Sequence, residues 1–150
     1  MKTLVIVFHP KYSESVRNKM IIDQLQNREN VTVRIIQGPV DVQTERDVLK
    51  QFERIVFQYP VYWWAMPAVG KSYLETVVNT ETEVLANKKI KIVQTLGSGR
   101  GGYGTRDMQV MKTIWEVITD FCRAKLEEQV FFYANDSAEV ARKIATDLAK

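Results

Sequence analysis

An apolar run at Ile55 to Phe57 breaks at Pro60, three aromatics follow at Tyr62-Trp63-Trp64, and Met66-Pro67 then opens a helix. Proline suits a first helical turn because the amide it lacks would have no partner there, so this segment reads as strand, loop, helix. Loops are ordinarily polar surface segments. Three adjacent aromatics in one need a flat apolar cover, which a ring ligand, a second subunit or both would supply; packing beneath a neighbouring helix is the plainer alternative.

A second group of residues suits anion chemistry. His9-Pro10-Lys11-Tyr12-Ser13-Glu14-Ser15-Val16-Arg17-Asn18 follows the first apolar run. A loop there supplies free amides at the positive end of a helix, Ser13, Ser15 and Asn18 add donors, and Arg17 adds charge. The alternative is a simple helix cap. A third group is Thr95 to Gly104, with glycine at 97, 99, 101, 102 and 104. Gly97-x-Gly99-x-x-Gly102 matches a dinucleotide fingerprint literally, but it follows the fourth strand, and Asp120 sits inside a helix where an acidic strand end is needed. Ala65 to Ser72 resembles a phosphate loop, yet Met66-Pro67 is stiff, lacks an amide and has no partner strand ending in a magnesium-binding aspartate, so neither motif is expected to function.

The elements that must position these groups follow from periodicity. With 150 residues, 45% hydrophobic and 26% charged, the chain supports one sizeable core, and residues 1–150 are expected to form a single domain. Residues 3 to 8 are continuously apolar, as in a strand buried on both faces of a parallel sheet. Ser15 to Gln26 has helical spacing, with Ser13 or Ser15 as candidate caps. Val31 to Ile36 is a second strand, Thr44 to Phe52 a short helix, and the third strand and helix are those around the aromatic loop. Lys89 to Thr95 is a fourth strand. A helix over Met108 to Cys122 follows, its apolar stripe at Met108, Met111, Ile114, Trp115, Ile118 and Phe121. Gln129 to Tyr133 is a fifth strand, and Asn135-Asp136-Ser137 caps a last helix facing inward through Val140, Ile144 and Leu148. Five strands alternating with helices predict an α/β fold, a doubly wound five-stranded parallel sheet of flavodoxin-like order 2-1-3-4-5 with helices on both faces. The three unusual loops follow strands one, three and four, and would meet at the carboxyl edge of that sheet.

Composition excludes several functions. One cysteine and one histidine give no disulfide and no thiolate site, so no metal is expected. The net charge of +3 is scattered along the chain, unlike the clustered stripe of a nucleic-acid binder. The amino-terminal apolar run is too short for a signal peptide and no run approaches the roughly 18 residues of a membrane helix. A cytoplasmic location is expected.

With these residues in hand, the chain resembles the flavin-dependent NAD(P)H:quinone reductases of the flavodoxin-like fold, the family of DT-diaphorase, of the modulator of drug activity and of the ancillary oxidoreductases of glutathione-gated potassium efflux systems. Three blocks carry the likeness: His9-Pro10 to Ser15-x-x-Asn18, Phe57-Gln58-Tyr59-Pro60-Val61-Tyr62-Trp63-Trp64-Ala65-Met66-Pro67-Ala68 with Lys71, and Thr95-x-Gly97 with Tyr103. The resemblance implies that His9, Ser15, Val16, Arg17 and Asn18 hold a flavin phosphate. It implies that Pro60, Val61, Tyr62, Trp63 and Trp64 lie along the isoalloxazine, and that Thr95, Leu96, Gly97 and Ser98 meet its pyrimidine edge. Tyr103 would sit near O2 as the catalytic residue.

Two departures stand out: Leu96-Gly97-Ser98 replaces a double glycine, and Gln109 stands where mammalian members have a histidine. The chain is also shorter than most members around and after the glycine loop, which favours FMN over FAD. The implied activity is ping-pong hydride transfer from NAD(P)H through flavin to a quinone or similar flat acceptor, in a homodimer whose second subunit roofs the pocket. Arg100 and Arg106 are candidates for the 2′-phosphate of NADPH. The alternative is a flavin-binding regulatory subunit of a redox-gated transporter with little turnover.

Overall fold

The computed structural model describes residues 1–79 and 82–150. Strand β1 (Thr3–Phe8) is buried along its length, with Leu4, Ile6 and Phe8 packed on one face of the sheet and Val5 and Val7 on the other. It lies between β2 (Val31–Ile36) and β3 (Arg54–Pro60), and β4 (Lys89–Thr95) lies beyond β3, all parallel. The order 2-1-3-4 with a fifth position outside β4 is the one the alternation of elements predicts.

That fifth position is split. The apolar run predicts one strand over Gln129 to Tyr133; instead β5 (Lys125–Leu126) and β6 (Val130–Phe132) both pair with β4. Leu126 lies opposite Ile90 and Val130 opposite Val93, so the outer strand carries one residue more than its partner between these pairs and bulges. Glu127 at the bulge turns its carboxylate to Arg54 at 2.8 Å.

Helices α1 (Arg17–Ile22) and α5 (Ala138–Leu148) cover one face; α2 (Val42–Lys50), α3 (Ala68–Tyr73) and α4 (Thr105–Phe121) cover the other. The first helix is shorter than the spacing from Ser15 to Gln26 implies: after Ile22 it tightens into a 3₁₀ turn at Asp23–Leu25. Neither Ser13 nor Ser15 caps it, because the residue before its first turn is Val16 and no side chain bonds that end. Helix α2 begins earlier than Thr44, since the Asp41 carboxylate accepts from the Thr44 amide at 2.8 Å and caps it. Helix α3 runs on into a wider π turn at Leu74–Val78. The Asn135-Asp136-Ser137 segment does precede α5, but Ser137 makes no side-chain cap; Asp136 is engaged elsewhere, as described below.

The core anchors the end of β3, where the aromatic loop starts. Phe57 stacks on Phe8 and on Trp115 at ring distances of 5.6 and 5.3 Å. The Trp115 indole N–H donates to the Tyr59 hydroxyl at 2.5 Å. Each aromatic pair adds about 1 kcal/mol beyond its buried area, and the hydrogen bond gives two large polar tips a partner inside the core. On α4, Met111 and Trp115 face inward as expected, but Ile114 and Phe121 do not: they join Val110 and Val117 in an exposed band. The two apolar stripes share one helix, and the spacing of either alone looks like a core face.

Candidate functional site

Three loops leave the carboxyl ends of β1, β3 and β4 and are tied together by hydrogen bonds. Asn18, 1% exposed, is the knot. Its Nδ2 donates to Ser15 Oγ at 3.2 Å and to Thr95 Oγ1 at 3.1 Å, joining the first loop to the third. The Val61 amide donates to the Thr95 carbonyl at 2.9 Å, joining the second to the third. Beneath Asn18, Gln58 donates from Nε2 to its Oδ1 at 3.1 Å and to its carbonyl at 3.2 Å, which fixes which way the Asn18 amide points.

The loops enclose a cavity of about 270 Å³. His9, Ser15, Val16, Arg17 and Asn18 line it from the first loop; Pro60, Val61 and Tyr62 from the second; Thr95, Leu96 and Gly97 from the third. Eleven of the residues singled out from the sequence therefore meet in one place, with Glu14 as an addition. His9 Nδ1 accepts from the Lys11 amide at 3.1 Å, which assigns its proton to Nε2, and burial pushes the imidazole below its ordinary pKa of 6.5. Arg17 donates from Nη2 to the Ala134 carbonyl at 2.6 Å, while its Nε is buried without a partner among the described residues.

Trp63, Trp64 and Tyr103 stand apart from that group. With Val61 they line a second cavity of about 290 Å³, adjoining the first through Val61 itself. The tryptophans do not pack beneath a helix: Trp63 is 88% and Trp64 44% exposed. They form the two central residues of a tight hairpin in which the Tyr62 amide donates to the Ala65 carbonyl at 2.8 Å and the Ala65 amide to the Tyr62 carbonyl at 3.1 Å. Both have positive φ, 50° and 60°. Such a turn ordinarily takes asparagine and glycine, and each bulky residue there costs roughly 1–2 kcal/mol. Strain of this kind persists only where the surroundings impose it. Here the Trp64 indole N–H donates to Asp107 Oδ1 at 2.8 Å, while Asp107 Oδ2 accepts from the Gly104 amide at 2.7 Å.

The glycine loop is pinned from its far side. The Ala134 amide donates to the Ser98 carbonyl at 3.0 Å, and the Arg100 amide to Asn135 Oδ1 at 3.1 Å. The Arg100 side chain makes a two-pronged contact with Asp136 at 3.0 and 3.2 Å, with its guanidinium 4.5 Å from the centre of the Tyr133 ring. Asp136 also accepts from the Tyr133 amide at 2.8 Å, which is why it does not cap α5. A Cβ on Gly102 would lie 2.3 Å from Ser98 Oγ and 2.9 Å from Ser98 Cβ, so any larger residue there would displace Ser98. Ser98 lines neither cavity. Arg100 is thus committed within the chain, and of the two arginines singled out for a 2′-phosphate only Arg106 makes no hydrogen bond or ion pair among the described residues. The glycine of the phosphate-loop lookalike is also accounted for: Gly70 is buried, and a Cβ on it would be 3.0 Å from both Phe8 and the Met66 sulfur, so it serves close helix-to-strand packing. Among the described residues no cluster of histidine, cysteine or carboxylates could hold a metal ion, and no helix is long and apolar enough to cross a membrane.

Gln58 and Asp107 are site residues not expected from the sequence. A lone glutamine in an otherwise apolar buried strand must find partners, and Asp107 three residues after a glycine resembles half of a capping box; both signals were present.

A parallel sheet of this order, with loops converging at its carboxyl edge, defines the flavodoxin-like class of α/β proteins. The sequence profile of the flavodoxin-like fold family matches residues 1–150, and the chain belongs to that family. It is 35% identical over 114 residues, 69% of this chain and 66% of the other, to a Bacillus subtilis protein named uncharacterized NAD(P)H oxidoreductase YrkL. It is 30% identical over 115 residues, 69% of this chain and 63% of the other, to the glutathione-regulated potassium-efflux system ancillary protein KefG of Serratia proteamaculans. The matched part is thus less than two thirds of the length of these relatives. Among solved structures, a protein described as the NADPH-quinone reductase from P. pentosaceus superposes with a TM-score of 0.87 at 20% identity, over 99% of this chain and 96% of the other. General stress protein 14 of Treponema denticola, in complex with FMN, superposes with a TM-score of 0.83 at 24% identity, over 99% and 95%. At these identities the superpositions establish a shared fold.

Proposed function

We propose that residues 1–150 form a single-domain, FMN-dependent NAD(P)H oxidoreductase that passes reducing equivalents to a quinone or similarly flat acceptor. The observation that carries this reading is the convergence of His9, Ser15, Arg17, Asn18, Val61 and Thr95 on one cavity that opens beside an aromatic one. The donor set suits a phosphate-bearing planar cofactor: an Arg17 Nε–H with no partner, a His9 Nε2–H, and a first turn of α1 that no side chain caps. When bound, FMN supplies hydride acceptance from NAD(P)H and hydride delivery to the acceptor in two successive half-reactions.

His9, Ser15, Val16, Arg17 and Asn18 would hold the phosphate and its tether. Pro60, Val61 and Tyr62 would bound one edge of the ring, with Thr95, Leu96 and Gly97 along the pyrimidine edge; Ser98, whose carbonyl is taken by the Ala134 amide, would support that edge from behind. Trp63, Trp64 and Tyr103 would form the wall against which the second substrate stacks. Tyr103 would turn its hydroxyl toward the pyrimidine oxygen and stabilise the charge gathering there; Gln109, which cannot take up a proton at neutral pH, leaves Tyr103 without the histidine relay. Arg106 is the cation left for a 2′-phosphate. The shortness of the chain around and after the glycine loop leaves little surface for an adenine and favours FMN over FAD.

The outer face of α4 supports a homodimer. Val110, Ile114, Val117 and Phe121 are exposed at 4-3-4 spacing, the seam of a helix that packs against another helix. Sedimentation or light scattering is expected to give twice the chain mass, with Phe121→Lys shifting it to the monomer. A cytoplasmic location fits a function that draws on the NAD(P)H pool.

The absorbance spectrum of the purified protein, with mass analysis of what denaturation releases, tests the proposal. Flavin bands and FMN are expected. Protein that stays colourless with excess FMN and FAD would overturn it. The similarity to KefG favours a second reading, a flavin-bearing partner of a transporter. Steady-state NAD(P)H oxidation with a simple quinone separates the two, because a yellow protein without turnover supports the regulatory role.

A further inference from the structure

The second cavity has two walls that come from different loops: Val61, Trp63 and Trp64 from the hairpin after β3, and Tyr103 from the glycine loop after β4. Among the described residues, one carboxylate holds both. Asp107 Oδ1 accepts from the Trp64 indole and Oδ2 from the Gly104 amide, next to Tyr103. Among the described residues no other polar side-chain atom of the hairpin makes a hydrogen bond, Trp63 is almost fully exposed, and both tryptophans sit in a backbone conformation that bulky residues avoid. A turn with so little burial and so much strain relaxes unless it is tied down.

We propose that Asp107 is a positioning residue that sets the aperture of the second cavity, and so selects the planar, π-bearing second substrate that fits between the indoles and Tyr103. Both of its oxygens are used, so it acts as a strut of fixed length between the two walls. The first cavity, knotted by Asn18, Ser15 and Thr95, does not depend on it. Loss of Asp107 therefore changes how the second substrate is held while leaving cofactor retention alone. The assignment of that substrate rests on the oxidoreductase reading of the site, whereas the strut itself does not.

Two measurements test this. The first needs no flavin. In a Trp63→Phe background the remaining tryptophans are Trp64 and the fully buried Trp115, so Asp107→Ala is expected to raise acrylamide quenching and shift emission to the red. Unchanged quenching and emission would overturn the strut. The second compares Asp107→Ala, Trp64→Phe and the double variant with NAD(P)H and a simple quinone. Each single change is expected to raise the quinone KM about tenfold, the worth of one charge-assisted hydrogen bond. The FMN Kd stays within about twofold of the parent, and the double variant is no worse than the worse single one. Asp107→Asn, which keeps one acceptor oxygen, falls between. Multiplying effects in the double variant, or a weakened FMN Kd with an unchanged KM, would overturn the proposal. Trp64→Phe removes the bond to Asp107 from a ring that lies outside the core, so the comparison survives if Asp107→Ala folds poorly. A colourless parent would sink the oxidoreductase reading and leave the quenching test intact.

Discussion

Replacing Gln58 with leucine separates the stability of the fold from the affinity of the site. Gln58 is fully buried, donates twice to Asn18, and its own Oε1 has no partner among the described residues. Leucine removes two hydrogen bonds worth about 1 kcal/mol each. It also removes one buried unpaired acceptor and creates another at Asn18 Oδ1, so the desolvation costs of about 1–3 kcal/mol cancel. The apolar side chain returns about 1 kcal/mol by burying further carbon. The net loss is about 1 kcal/mol, or roughly 2–4 °C in Tm for a chain of this size. Cofactor binding should suffer more. With Oδ1 released, the Asn18 amide is free to turn, and the donors it holds toward Ser15 and Thr95 lose their fixed direction. Loss of one such oriented contact predicts about a tenfold weaker FMN Kd. Thermal melting of the flavin-free variant and quenching of FMN fluorescence on titration measure the two effects separately. A fall of more than about 10 °C in Tm with an unchanged Kd would refute the reasoning, because Gln58 would then be a stability element with no part in orienting Asn18.

Tyr103→Phe is expected to slow the reductive half-reaction at least about tenfold in stopped-flow measurements while far-UV circular dichroism stays the same, and an unchanged rate removes the hydroxyl from the chemistry. Burial holds His9 below its ordinary pKa of 6.5, so the unfolded chain binds the proton more readily and stability is lost as pH falls through the window beneath about 6.5. The thermal midpoint of the parent should therefore drop more between about pH 7.5 and 5.5 than that of His9→Asn, which keeps an acceptor for Lys11 but does not titrate; parallel curves would clear His9 of this role. Arg54 is 4% exposed, bonds Glu127 and caps the carbonyls of Asp147 and Leu148 at the end of α5. Arg54→Met should cost about 3 kcal/mol in urea unfolding, with part restored by adding Glu127→Gln, and a loss below about 1 kcal/mol would show that the pair is effectively solvated.

Much of this was legible in the residues because the signals were local. The continuous apolar run of β1 and the alternation of strands with helices fixed the sheet order, and order alone brings the loops after strands one, three and four to one edge. Residues of the first cavity were found because each lies within a few positions of a strand end. The rest depended on tertiary choices. The bulge opposite β4 reflects where Glu127 meets Arg54, a partner more than seventy positions away. Ile114 and Phe121 obey the same periodicity as Trp115, and only the sheet decides which stripe faces inward. Backbone reversal at Trp63 and Trp64 had no glycine or asparagine to announce it, and the side chain bonded to it, Asp107, lies 43 positions further along the chain.

The broken outer strand has a consequence for assembly. Beyond β4 the margin of the sheet is two residues of β5 and three of β6, separated by a bulge that carries Glu127 and Glu128. No stretch there is long enough to template a visiting chain, and a repelling charge interrupts it. Copies of this molecule meeting on that side cannot fuse their sheets into one ribbon, so any lasting contact has to be made by side chains, which leaves the backbone ladder closed to runaway stacking.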